Sequence, residues 1–208
     1  MQSFGNGKFY YAIIVSMNIK QKADQIIASG DSKKEKILKL CELVREIPYK
    51  RIGSFNPDDM AREGKGSCTP KHVFLAGYLQ KLGVPFRFLI MPFYYKKMPL
   101  AYPTDKRSIV ENMPVSYHVA LKAKIDGEWR IIDVTWDSRL KELGFPVNEK
   151  WNGESDMKLG VIPEEITEKE VDPRKFEKDK AMKYTEQEKV ARKEFYNLLD
   201  EVIDQVRN

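Results

Sequence analysis

The strongest constraint in this chain is the dipeptide Asp126-Gly127, set between two β-branched and aromatic runs over residues 117–125 and 128–136. Asp-Gly is a favoured centre for a two-residue hairpin turn, so the runs read as paired antiparallel strands. The turn length fixes the register. Ala120 then faces Asp133 and His118 faces Thr135, making His118 and Asp133 diagonal neighbours on one sheet face, roughly 7–8 Å apart at the backbone. An aspartate spans that gap to an imidazole nitrogen. Asp133 lies within Ile131-Ile132-Asp133-Val134, an apolar strand in which a carboxylate without a partner is costly to bury. His118 is the partner at hand.

Helix signals dominate the first half. Asn18 caps an amphipathic helix over residues 19–28, with Gly30 at its stop. Ser32 and Glu35 form a capping box, followed by Ile37, Leu40, Cys41, Val44 and Ile47 at helical spacing, and Pro48 ends the run. Residues 49–66, with Gly53, Asn56-Pro57, Gly64 and Gly66, carry loop chemistry. A third helix is predicted over 68–82, stopped by Gly83, and a buried strand over 84–91. Residues 9–15 read as a further strand. The stretch 92–114 is long, irregular and rich in aromatics, and is expected to form part of a substrate rim. After Trp136 the pattern weakens. The mixed-charge run 164–180 reads as solvated surface, and a last helix opens with a capping box at Thr185 and Glu188. The expected organisation is one domain over 1–208, with a core at about 19–136 and a loop-rich extension over 137–208 ending in that helix.

Chemistry enters at Cys68. The segment Gly64-Lys65-Gly66-Ser67-Cys68-Thr69-Pro70 places a thiol where a glycine-bearing loop becomes a helix, and proline is welcome in a first helical turn. Unpaired backbone N–H groups and the positive end of the helix dipole then lie beside the sulfur and favour thiolate over thiol. Cys41, on the apolar face of its own helix, reads as a structural cysteine. A nucleophilic thiol needs a base, and the chain has two histidines. His72 follows Cys68 by one turn with no carboxylate at helical spacing, and reads as a helix-surface or packing residue. His118, oriented by Asp133, is the better base. The backbone N–H of Cys68 is a natural first donor to a developing oxyanion. Tyr49, Asn56 and the Trp136 indole are candidates for a second.

Composition removes other classes. Hydrophobic residues make up 42% of 208, enough to fill a core without disulfides. Two cysteines and two histidines exclude a disulfide scaffold and a Cys/His zinc cluster. Lys and Arg number 36 against 31 Asp and Glu, and this thin excess of +5 is spread among acids, so no nucleic-acid partner is expected. No apolar run approaches the roughly 20 residues of a membrane span, and no signal sequence is recognised, so no membrane partner is expected and the default compartment is the cytoplasm.

Several runs together resemble the transglutaminase-like superfamily. Gly66-Ser67-Cys68, then Leu75, Leu79 and Leu82-Gly83-Val84-Pro85-Phe86-Arg87, are similar to its nucleophile helix and following strand. Tyr117-His118-Val119 and Gly127-Glu128-Trp129-Arg130-Ile131-Ile132-Asp133-Val134-Thr135 resemble its histidine and aspartate strands. The resemblance implies a papain-like α+β fold, with a helical part bearing the cysteine packed on an antiparallel sheet bearing histidine and aspartate. It also implies Cys68, His118 and Asp133 as catalytic residues acting on a peptide or protein amide, by hydrolysis or transfer, with no cofactor or metal. Thr69 stands where animal cross-linking transglutaminases carry tryptophan, Ala120 where many members carry tryptophan, and no acidic calcium-loop pattern appears. The alternative is a catalytically silent binding or scaffold module on the same fold.

Overall fold

A computed structural model describes residues 18–100 and 102–207. The strand expected over 9–15 lies outside the described residues. Four helices come first. Helix α1 (Ile19–Ala28) and helix α2 (Lys33–Arg45) each begin with a reciprocal capping box, Asn18 with Gln21 and Ser32 with Glu35, which satisfies two otherwise orphaned N–H groups at each start. Helix α3 (Pro57–Glu63) falls inside the segment read as loop. Asn56 caps it and Pro57 occupies its first turn, so the Asn-Pro pair that suggested a turn is here a helix start. Helix α4 (Cys68–Lys81) carries the thiol at its first residue, and the chain leaves it through Gly83 at φ +65°.

The sheet has four antiparallel strands in the order β3-β2-β1-β4: β1 (Phe86–Phe93), β2 (Ser116–Ile125), β3 (Glu128–Ile132) and β4 (Thr167–Lys169). Asp126 (φ 49°) and Gly127 (φ 90°) both take positive φ, as the tight hairpin turn requires. Pairing runs from Ile125 opposite Glu128 to Leu121 opposite Ile132, the register expected from that turn. The ladder stops at Ile132. Asp133 therefore lies just past the end of β3, and no backbone pair joins it to Ala120.

The stretch 92–114 is more ordered than its sequence suggested, with single turns at Tyr95–Lys97 and Thr104–Lys106 and helix α5 (Arg107–Asn112). Beyond Trp136 come helix α6 (Pro173–Ala181) and the long helix α7 (Glu186–Asp204), opened by the Thr185–Glu188 box. Among the described residues no helix is long and apolar enough to cross a membrane.

Two apolar clusters bracket the sheet end that holds His118. In one, Leu40, Val44, Leu75 and Leu79 of α2 and α4 pack on Leu121, Ala123 and Ile132. In the other, Phe195, Leu199 and Val202 of α7 pack with Tyr49, Tyr95 and Trp136. Lys71 ties the halves together. Its ammonium is fully buried and donates to the carbonyls of Arg45 (2.9 Å), Ile47 (2.8 Å) and Thr135 (2.7 Å), one acceptor for each N–H. Burial pushes this lysine down to about 7, against the pull of Asp137.

Candidate active site

Cys68 is set at the start of α4 by the backbone on either side of it. Tyr49 and Gly66 form a parallel bridge, with Gly66 donating to Pro48 (3.0 Å) and Lys50 donating to Gly66 (3.3 Å). A side chain at residue 66 would collide with Met60, 2.5 Å from its Cγ, so the approach needs glycine. Ser67 makes no side-chain cap and Pro70 has no N–H, so the amides of Cys68 and Thr69 are not taken up by a cap. The thiol of Cys68 keeps partial exposure, whereas Cys41 is buried in the helical cluster, where burial pushes its thiol up to about 12.

His118 and Asp133 meet as the register implied. His118 Nε2 and Asp133 Oδ2 are 2.6 Å apart, and both side chains are about 2% exposed or less. Burial opposes the imidazolium, but the Asp133 carboxylate and then the Cys68 sulfur outweigh it and raise His118 to about 10. Burial likewise opposes the Asp133 carboxylate, and His118 outweighs it, holding the acid well below the usual carboxylate range. Because Asp133 engages Nε2, Nδ1 is the ring nitrogen left for the sulfur.

His72 is not on the helix surface. It is fully buried, with Nδ1 against the Cys68 carbonyl (2.9 Å) and Nε2 accepting from the Val134 amide (3.1 Å). Those two contacts call for the neutral ring protonated at Nδ1, and burial lowers His72 to about 4. It therefore joins the first turn of α4 to the segment bearing Asp133 without offering a nitrogen to the thiol.

The sequence reading missed Gly160. Its amide donates to Asp133 Oδ2 (2.6 Å), its carbonyl accepts from Trp136 Nε1 (2.6 Å), and Thr135 N adds a bond to Asp133 Oδ1 (3.2 Å). A Cβ at residue 160 would lie 2.9 Å from the indole nitrogen and 3.2 Å from both carboxylate oxygens. This removes Trp136 as an oxyanion donor, since its one N–H is already spent. Asn56 is removed as well: its side chain caps α3 and it does not line the cleft. Tyr49 does line it, together with Tyr95. Both rings are buried, and burial, with the Cys68 sulfur adding to it, holds both hydroxyls well above the ordinary tyrosine range, so they remain O–H donors.

The cleft around Cys68 and His118 has a volume of about 500 Å³. Its rim differs from the one expected. Among the described residues of the stretch 92–114, Phe93 and Tyr95 alone reach it, and most of the opposite wall comes from α6, α7 and the segment before α3. The run 164–180 is thus not all solvated surface. Phe176 stacks on Tyr117 (centroids 5.1 Å apart), and Glu177 accepts from Thr69 Oγ1 (3.2 Å) next to the nucleophile. Glu177 keeps some solvent access through the cleft mouth yet has protein on nearly every other side. That burial raises it to about 7, with Thr69, Arg51 and Arg192 pulling the other way.

No curated protein matches the chain. Among solved structures it is similar to a candidate cysteine protease of Cytophaga hutchinsonii, at 19% identity and a TM-score of 0.39 over 60% of this chain and 39% of that one. It is also similar to a chain described as a TGase, at 14% identity and a TM-score of 0.40 over 65% of this chain and 35% of that one. The chain spans less than half the length of either. A sequence model of the transglutaminase-like superfamily matches residues 20–134, more than half of the chain and the part that carries Cys68, His118 and Asp133, and the chain belongs to that superfamily.

Proposed function

We propose that this protein is a cysteine-dependent acyl-transfer enzyme acting on a peptide or protein amide. The observation that carries the reading is His118, held by Asp133 at 2.6 Å and lining the same cleft as Cys68. The Cys68 thiolate adds to the amide carbon, and the oxyanion that forms is met by the Cys68 amide and the Tyr49 hydroxyl. The C–N bond then breaks, and the leaving nitrogen takes its proton from the His118 imidazolium. A thioester on Cys68 remains. Water or an amine attacks it, gives its proton to His118, and expels the Cys68 thiolate as acid or new amide forms. Asp133 keeps the ring in one orientation and stabilises its charged form throughout.

The test is a pool of acetylated peptide amides offered with hydroxylamine as acceptor. Hydroxamate formation in wild type, lost in Cys68→Ala and cut by about 10²-fold or more in His118→Ala, is the expected result. Hydroxamate yield that is unchanged in Cys68→Ala overturns the reading. No hydroxamate from wild type, with no acyl adduct on Cys68 by intact mass, points instead to the silent binding module.

A further inference from the structure

Arg192 of α7 is a buried guanidinium with no ion-pair partner among the described residues. It is 8% exposed, stacks on Tyr184 (3.8 Å to the ring centroid), and spends its Nη groups on Ser116 Oγ (3.4 Å) and the Val115 carbonyl. Its Nε is buried without a partner, and among the described residues no carboxylate lies within 4.0 Å. Arg207 makes a useful contrast. Its Nε is also unpartnered, but Asp137 meets its charge at 2.6 Å. A desolvated cation without a counter-ion is costly, and it becomes favourable when a ligand brings the missing charge.

Arg192 lines the cleft two strand positions from His118, through Ser116. The charges around it lean the same way. Arg51, over the Tyr196 ring, and Lys193 line the same cleft and also lack a carboxylate partner among the described residues. Lys189 is matched by Glu186 (2.6 Å), and Asp200 shares Lys50 (3.4 Å) with Asp204 (3.0 Å). Besides that half-matched Asp200, the opposing group of the lining is Glu177, which burial keeps partly protonated near neutral pH.

We propose that Arg192 is the specificity anchor of this cleft, seating a carboxylate of the substrate, so that the preferred substrate is an acidic peptide with a Glu or Asp side chain near the amide under attack. This rests on the acyl-transfer reading for the bond that is cut, but the anchor itself does not require turnover. Arg51 and Lys193 supply the steering field at the rim, and the planar fork of Arg192 supplies a directed contact.

The experiment has two arms. In the first, short acetylated peptide chloromethyl ketones carrying Glu, Gln or Lys at each of three positions before the reactive carbon are compared by their rate of alkylating Cys68. At one position Glu should exceed Gln by about tenfold or more, Lys should be slowest, and the Glu-to-Gln ratio should fall to near one in Arg192→Gln. In the second arm, the matching Glu and Gln peptide amides are titrated by NMR onto Cys68→Ala protein, which reads binding without chemistry. Tighter binding of the Glu peptide by about tenfold, weakened by added salt, is expected. Should Arg192→Gln fail to fold, Arg192→Lys, which keeps the charge and loses the fork, is expected to retain only part of the preference. Equal rates and equal binding for Glu and Gln, a ratio that survives in Arg192→Gln, or a preference for Lys through Glu177 overturns the proposal. An acidic preference in the binding arm with no alkylation of Cys68 sinks the acyl-transfer reading and leaves the anchor standing.

Discussion

Gly160 N and His118 Nε2 both lie 2.6 Å from the same atom, Asp133 Oδ2, one from a loop far along the chain and the other from β2. The loop amide thus fixes the carboxylate that fixes the imidazole. Gly160→Ala places a methyl group 2.9 Å from Trp136 Nε1 and 3.2 Å from the carboxylate, so the loop must shift. The expected outcome is a loss of about 1–3 kcal/mol in urea unfolding from overpacking, with acyl transfer falling further than that loss explains.

Asp133→Asn tests the charge linkage. Without the carboxylate, burial is opposed only by the Cys68 sulfur, so the NMR titration of His118 should drop well below its wild-type value of about 10. The sign for stability follows. A folded pKa above the unfolded one means the folded protein binds the extra proton, so this stabilisation is full below about pH 6.5 and is lost as pH rises through about 10. The advantage of wild type over Asp133→Asn should therefore shrink steadily across that window, as read by denaturant unfolding at each pH.

Lys71→Met removes three hydrogen bonds at once and leaves the carbonyls of Arg45, Ile47 and Thr135 buried without a donor. A destabilisation of about 3 kcal/mol or more is expected by urea unfolding, the cost of stranding buried acceptors. A change under about 0.5 kcal/mol, the range of an ordinary surface substitution, would mean that Lys71 does not join α4 to its neighbours.

Tyr49→Phe deletes a hydroxyl of a residue lining the Cys68 cleft and keeps the ring that packs on Trp136 at 4.3 Å. Acyl transfer should fall by about 10²–10³-fold with little change in unfolding free energy, as for a lost oxyanion donor. An unchanged kcat would leave the Cys68 amide without this partner.

What the sequence disclosed and what it hid divide along physical lines. The Asp126-Gly127 turn forces a register, so the meeting of His118 with Asp133 could be worked out from spacing alone. The capping boxes at Ser32 and Thr185 are local chemistry and were equally legible. Helix α3 was missed because Asn-Pro serves both turns and helix starts. His72 reads as a surface or packing residue, and the second holds; the sequence could not choose because its partners, the Cys68 carbonyl and the Val134 amide, are backbone groups that leave no mark in composition. Gly160, Glu177 and Arg192 were hidden for a third reason. Each reaches the site through tertiary packing of the chain after Trp136, and the few apolar residues among the charges of Glu164 to Lys180, such as Val171 and Phe176, leave a pattern that reads as solvated.

The most direct measurement compares iodoacetamide alkylation of the two cysteines at neutral pH, site by site, in wild type and His118→Ala. Activation by His118 requires Cys68 to react far faster than the buried Cys41 and to slow by about 10²-fold when the imidazole is removed, with Cys41 unmoved. A Cys68 rate that is the same with and without His118 would contradict the central claim.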